Sequence, residues 1–181
     1  MERRFNLIDE PWLPIVDVGR VSLRQVFSEP SYRALGGNPV QKIALMKLLL
    51  AIAQAACTPE DEAQWQALGA AGLAQRCLAY LEQWHERFFL YGEQPFLQFP
   101  VLAGPQKPSY GAVQPEISTG NTTVLNHSQV SRRPSDADKA LLLVVLMGFA
   151  LGGKKTDNSI TLTPGYQGKS ATGKSGPAVA S

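Results

Sequence analysis

Apolar residues are unevenly spread along the chain, with three stretches carrying them at helical spacing between segments punctuated by proline and glycine. Asn38-Pro39 opens the first. An Asn side chain accepts from the free amides of a first turn, and proline fits there without losing a needed donor. This helix is predicted to run to about Ala56, with a broad apolar face of Ile43, Met46, Leu49, Leu50 and Ala53 and burial on most sides. Thr58-Pro59-Glu60-Asp61-Glu62 repeats the start signal, with acids against the positive end of the helix dipole. Gly69 and Gly72 predict a break in this second helix. Helical spacing then resumes through Leu73, Cys77, Leu81, Trp84, Phe88 and Phe89 and ends at Gly92. The third helix follows the cap Ser135-Asp136-Ala137-Asp138, and its apolar run from Ala140 to Leu151, halted by Gly152-Gly153, predicts a buried element in which Leu143 is core.

Short strands are expected before the helices, at Phe5-Asn6-Leu7-Ile8 and from Trp12 to Val16, with a turn at Asp9-Glu10-Pro11 between them. Pro14 confines the second to an edge. Gly19-Arg20 offers a turn into Val21-Ser22-Leu23, and the pattern from Ser22 to Phe27 equally fits a short helix. Residues 95–134 hold six prolines and no sustained period, which predicts an irregular segment. Residues 154–181 are rich in Gly, Ser, Thr and Lys. The expected fold is α+β: a mixed domain of short strands and several buried helices over residues 1–153, then a flexible tail over 154–181.

With 181 residues, 44% of them hydrophobic, the chain can bury one core. No uncharged apolar run reaches the roughly 18 residues a bilayer requires, and the start lacks a signal-peptide segment, so a cytoplasmic protein without a membrane partner is expected. Cys57 and Cys77 lack the partners of a redox or zinc site and are expected to be buried thiols. The net charge of +2 is asymmetric. The first 130 residues carry ten Lys/Arg against twelve Asp/Glu, and the last 51 carry seven against three. Charge alone reads as a solvated tail.

Gly168-Lys169-Ser170-Ala171-Thr172-Gly173-Lys174-Ser175 fits the phosphate-loop pattern literally and raises the alternative of a nucleotide hydrolase. Its context argues against that. A phosphate loop needs a buried strand before it and a helix after it, whereas Thr163-Pro164-Gly165 and Gly176-Pro177 flank this one with turn chemistry. His85 and His127 have no obvious nucleophile or metal-binding neighbour, and Glu60-Asp61-Glu62 is explained by capping. No active site, metal site or cofactor is predicted. Two segments suit nucleic acid: Asn121, Thr122, Thr123, Val124, Leu125 and Asn126, with short polar side chains for phosphates, sugars or base edges, and Gly165, Tyr166, Gln167, Gly168 and Lys169, with permissive glycines beside a ring and a cation. On residue types alone, ordinary surface loops are the simpler account of both.

The opening Phe5-Asn6-Leu7-Ile8-Asp9-Glu10-Pro11-Trp12-Leu13-Pro14-Ile15 resembles the start of the CasA family, the large subunits of the type I-E CRISPR Cascade complex. Gly92-Glu93-Gln94-Pro95-Phe96-Leu97-Gln98 and Ala150-Leu151-Gly152-Gly153 are similar to two later landmarks of that family. The resemblance implies the N-terminal region only, of a family running to several hundred residues, so the chain looks like a fragment or truncated form. It further implies a non-enzymatic subunit for antiviral defence, at the foot of Cascade beside the guide RNA 5′ handle. Its partners would be that RNA, double-stranded target DNA with its PAM, the other Cascade subunits and a helicase-nuclease recruited after target binding. Residues 164–169 occupy the place of the family's glycine loop, which reads the PAM through the minor groove. Asn121 to Asn126 look like the loop that reaches the handle and neighbouring subunits. The family's PAM-contacting lysine, its strand-separating wedge and its C-terminal helical bundle have no counterpart here. Where some relatives place zinc-binding cysteines, this chain reads Val130-Ser131-Arg132-Arg133-Pro134, so no zinc is expected. A truncated docking module that does not read DNA is the remaining alternative.

Overall fold

The computed structural model describes residues 4–99 and 133–149. Its elements run β1 (Leu13–Ile15), β2 (Gly19–Val21), α1 (Leu23–Ser28), α2 (Pro39–Ala56), α3 (Glu62–Gln83), a 3-10 turn at His85–Arg87 and α4 (Asp136–Gly148). Helices and one small sheet make an α+β fold. β1 and β2 pair antiparallel with Leu13 opposite Val21 and Ile15 opposite Gly19. The turn lies earlier than Gly19-Arg20, at Asp17, whose φ of 62° is left-handed, so Gly19 already belongs to β2. On the other side of β1, Pro14 O accepts from Gly36 N at 2.8 Å. A Cβ at Gly36 would sit 3.1 Å from Pro14 Cβ, so only glycine allows this approach without displacement.

Local chemistry sets the helix starts. Ser22, Asn38 and Ser135 each form a reciprocal capping box with the residue three positions on. The start of α3 differs from expectation: Asp61 is its cap, and Thr58 instead donates its hydroxyl back to Gln54 O at 2.8 Å. Gly69 (φ 60°, ψ 177°) does break α3, whereas helical backbone continues through Gly72. The helix expected to reach Gly92 stops at Gln83. Residues 88–90 are captured instead by the N-terminal segment, through Leu7 N to Phe88 O at 3.0 Å and Leu90 N to Phe5 O at 2.8 Å. The strand expected at Phe5–Ile8 is correspondingly reduced to one antiparallel bridge, Asn6 to Phe89.

One core joins these parts, with Leu7, Ile8, Trp12, Leu13, Leu23, Leu45, Cys77, Leu81 and Val145 fully enclosed. Cys77 is buried, and desolvation pushes its thiol up, whereas Cys57 is only half-buried. α4 packs on α2, where Gly148 approaches Ala44. Its buried side is Ala137, Ala140, Leu141, Val144 and Val145, while Leu143 is only partly covered. The phase of α2 also differs from expectation. Ala44, Leu45 and Ile52 are buried, but Ile43, Met46 and Leu50 face outward. Over its 18 residues α2 is long and apolar enough, by length and composition, to cross a bilayer, yet it is seated on α3 and α4 through its buried side.

Candidate functional site

The first two landmark segments both hydrogen-bond to the same short stretch, residues 88–90. Phe5 to Trp12 runs between the start of α1 and residues 88–90. Leu23 N and Arg24 N, first-turn amides without helical acceptors, donate to Leu7 O at 3.2 Å and Ile8 O at 3.0 Å. Trp12 Nε1 donates to Leu7 O at 2.8 Å from a fully buried ring. Asn6, also buried, donates from Nδ2 to His85 O at 3.0 Å and accepts from Ile8 N at 2.8 Å. Gly92 to Gln98 folds back on the same place. Phe96 stacks on Phe88 with centroids 4.8 Å apart, Phe96 N donates to Phe89 O, and Gln98 Nε2 donates to Leu90 O at 2.8 Å.

Two charged clusters border this region. Asp9 bonds His85 Nε2 at 2.6 Å and Arg24, whose guanidinium also reaches Glu82 at 3.2 Å. The Asp9 carboxylate raises the His85 pKa above its usual value. Asp9 itself is lowered, because its bonds to His85 and Arg24 together outweigh its desolvation. In the second cluster, Tyr91 donates to Asp136 Oδ1 at 2.6 Å, and Lys139 Nζ donates to Tyr91 Oη at 3.2 Å and to Asp136 at 3.1 Å. Desolvation and the Asp136 bond raise Tyr91, while Lys139 is raised because its two bonds outweigh burial. These clusters tie together elements distant in the sequence.

Between the clusters an open cleft of about 490 Å³ is lined by Arg4, Glu86, Arg87, Phe89, Tyr91, Gly92, Glu93 and Gln94. Arg4 lies over the Phe89 ring at 5.1 Å. Two guanidiniums face two carboxylates there, so the cleft has no single-sign field to attract phosphate. Sequence reasoning missed both clusters because each joins residues distant in the chain, and it missed the cleft because its lining residues are unremarkable singly and are brought together with Arg4 only by the fold. Only the landmark sequences around Asn6 and Gly92 pointed here.

Every residue singled out for nucleic acid lies outside the described residues: Asn121, Thr122, Thr123, Val124, Leu125, Asn126, Gly165, Tyr166, Gln167, Gly168 and Lys169. So do Ala150-Leu151-Gly152-Gly153 and the phosphate-loop match at 168–175. What is described is where the segments begin and end. Residues 100–132 depart after Gln98, bonded to Leu90, and return just before Asp136, bonded to Tyr91. Both ends are thus held by consecutive residues, Leu90 and Tyr91. The tail departs from Phe149, whose ring lies 5.7 Å from Lys47 Nζ on α2.

Residues 6–180 match the family model for CRISPR-associated protein Cse1. A curated relative, CRISPR-associated protein CasA/Cse1 of Thermus thermophilus, is 34% identical over an alignment of 165 residues that covers 83% of this chain and 32% of the relative. The crystal structure of Thermobifida fusca Cse1 is similar with a TM-score of 0.68 at 31% identity, covering 84% of this chain and 31% of that one. A chain of a CRISPR RNA-guided surveillance complex shares the fold, with a TM-score of 0.67 at 21% identity over 86% of this chain and 36% of that one. This chain spans about a third of the length of each of these relatives.

Proposed function

The chain belongs to the CRISPR-associated Cse1 family, and we propose that it acts as the N-terminal part of the large subunit of an RNA-guided surveillance complex, contributing to PAM recognition in target DNA and to contacts with the guide RNA 5′ handle. The observation that carries this reading is the family match over nearly the whole chain, together with the bonding of both landmark segments to residues 88–90, beside which Leu90 holds Gln98 and Tyr91 holds Asp136. A scaffold that holds a loop at its base lets exposed polar side chains bind a partner without disturbing the core. Asn121 to Asn126 are assigned to the handle and the neighbouring subunits. Gly165 to Lys169 are assigned to the minor groove beside the PAM, where glycine permits close backbone approach.

The subunit is non-enzymatic and cytoplasmic in this reading. Guide pairing reads the target sequence, and the protein licenses the start of strand opening before a helicase-nuclease is recruited. That division of labour follows RNA-guided recognition generally, in which the protein reads a short motif and base pairing reads the rest. Replacing Asn121 and Asn126 together by Ala should weaken incorporation into a complex reconstituted with guide RNA and the other subunits, while the free chain melts within about 0.5 kcal/mol of the parent. Co-purification at parental stoichiometry would remove these residues from the interface.

A further inference from the structure

At about 490 Å³ the cleft beside Phe89 and Tyr91 falls within the roughly 300–1,000 Å³ of sites that take small ligands. Its walls are fixed. Tyr91 is tied through its hydroxyl to Asp136 and Lys139, and Phe89 is bridged to Asn6 while its carbonyl accepts from Phe96 N at 2.8 Å. The charged groups on these walls are not spent on one another. Among the described residues, Arg4, Arg87 and Glu93 form no ion pair, and Glu86 has one, with His85 Nδ1 at 3.5 Å. Arg4 is exposed and lies over the Phe89 ring, so a planar ligand meets a guanidinium backed by an aromatic face. Gly92, with φ 134° and open space where a Cβ would stand, leaves the backbone bare between Tyr91 and Glu93.

We propose that this cleft binds one unpaired nucleotide, with the base stacked on Arg4 over Phe89, Arg87 donating to the phosphate and Glu93 accepting from the base edge. Bases stack on guanidinium and aromatic planes alike, and a guanidinium fork suits phosphate oxygens. A carboxylate only accepts, so Glu93 selects a base edge that donates. Guanine offers two adjacent N–H groups there, whereas uracil sets its single N–H between carbonyls that a carboxylate repels. The balanced charge gives no field for a run of phosphates, yet it fits a ligand that is anionic at one end and donor-bearing at the other. A protein segment of mixed charge also meets both signs, but only a planar group uses the face over Phe89. The site consists of described residues alone and holds whatever residues 121–126 and 165–169 bind.

NMR titration of the full chain with guanosine and uridine 5′-monophosphates tests it, and a negative result would leave the segments assigned above untouched. Guanosine 5′-monophosphate is expected to shift the Gly92 amide and the Phe89 ring, and to bind several-fold more tightly than uridine 5′-monophosphate. Glu93→Gln should remove that preference. Arg87→Ser should weaken both nucleotides by about two- to fivefold, the range of an exposed ion pair. Both positions are exposed, so circular dichroism stays parental in each variant. A trinucleotide carrying guanosine between two uridines separates the sources: tighter binding than the monophosphate assigns the site to a strand, equal or weaker binding assigns it to a free nucleotide, and either upholds it. Three outcomes overturn the proposal. Gly92 and Phe89 signals unmoved by any nucleotide would leave the cleft without this ligand. Equal binding of the two monophosphates by the parent would remove Glu93 from the base edge. Shifts produced instead by a blocked tripeptide of glutamate, phenylalanine and arginine would make the cleft a protein-docking surface.

Discussion

Asn6 has a disproportionate role because it is short, polar and buried, and its side chain serves two backbone groups, one of them 79 positions away in sequence. Asn6→Ala would leave His85 O and Ile8 N without those partners, and each unmet buried group costs about 1–3 kcal/mol. Urea unfolding should register a loss in that range, and a change under about 0.5 kcal/mol would mean that water replaces both bonds. The neighbouring Asp9–His85 pair makes stability depend on pH. His85 is raised, so its contribution is complete below its unfolded value near about 6.5 and fades as pH rises through the folded value. Asp9 is lowered, so its contribution is present above about 3.9 and is lost as pH falls through its folded value. Arg24, Glu82 and Glu86 also face this pair. Both partners are partly exposed, so solvent limits the effect to roughly 0.2–1 kcal/mol. The parent should lose more stability between pH 6 and 8 than Asp9→Asn does, and parallel curves would show the pair to be silent.

Among the elements, α4 is the sharpest test of the core, because its two faces differ in burial. Val145→Asp would place an unpaired carboxylate among fully enclosed residues and should cost several kcal/mol, enough to lose cooperative melting. Leu143→Asp, on a partly covered position, should cost distinctly less. Equal melting losses would contradict the assigned faces. The helix starts were legible because a cap is local chemistry, as at Asn38-Pro39 and Ser135, and the break at Gly69 was legible for the same reason. The end of α3 was not. Trp84, Phe88 and Phe89 continue the helical period, but Leu7 and Phe5 draw residues 88–90 into pairing that no local pattern announces. The face of α2 was missed because its apolar residues surround the helix, and such a helix takes its phase from whatever packs on it. The charged clusters escaped for a related reason, since each joins residues separated by 45 or more positions, as Asp9 to His85 and Tyr91 to Asp136.

For the whole molecule, the fold supplies a helical core and a hydrogen-bonded N-terminal unit, and the segments assigned to nucleic acid depart from fixed points on both. In the proposed function, residues 164–169 read the PAM with their backbone. A β-branched residue there would restrict the backbone and fill the space that a base edge needs. Lysine contacts, by contrast, act on any duplex through phosphate charge. The decisive measurement is binding of PAM-bearing and PAM-lacking duplexes across a salt titration, by a complex reconstituted with the further length that the relatives carry. Gly165→Val and Gly168→Val should shrink the preference for the PAM, whereas Lys169→Ala should weaken both duplexes and flatten the salt slope by roughly one phosphate contact. Full PAM discrimination by both valine variants at every salt concentration would contradict the account.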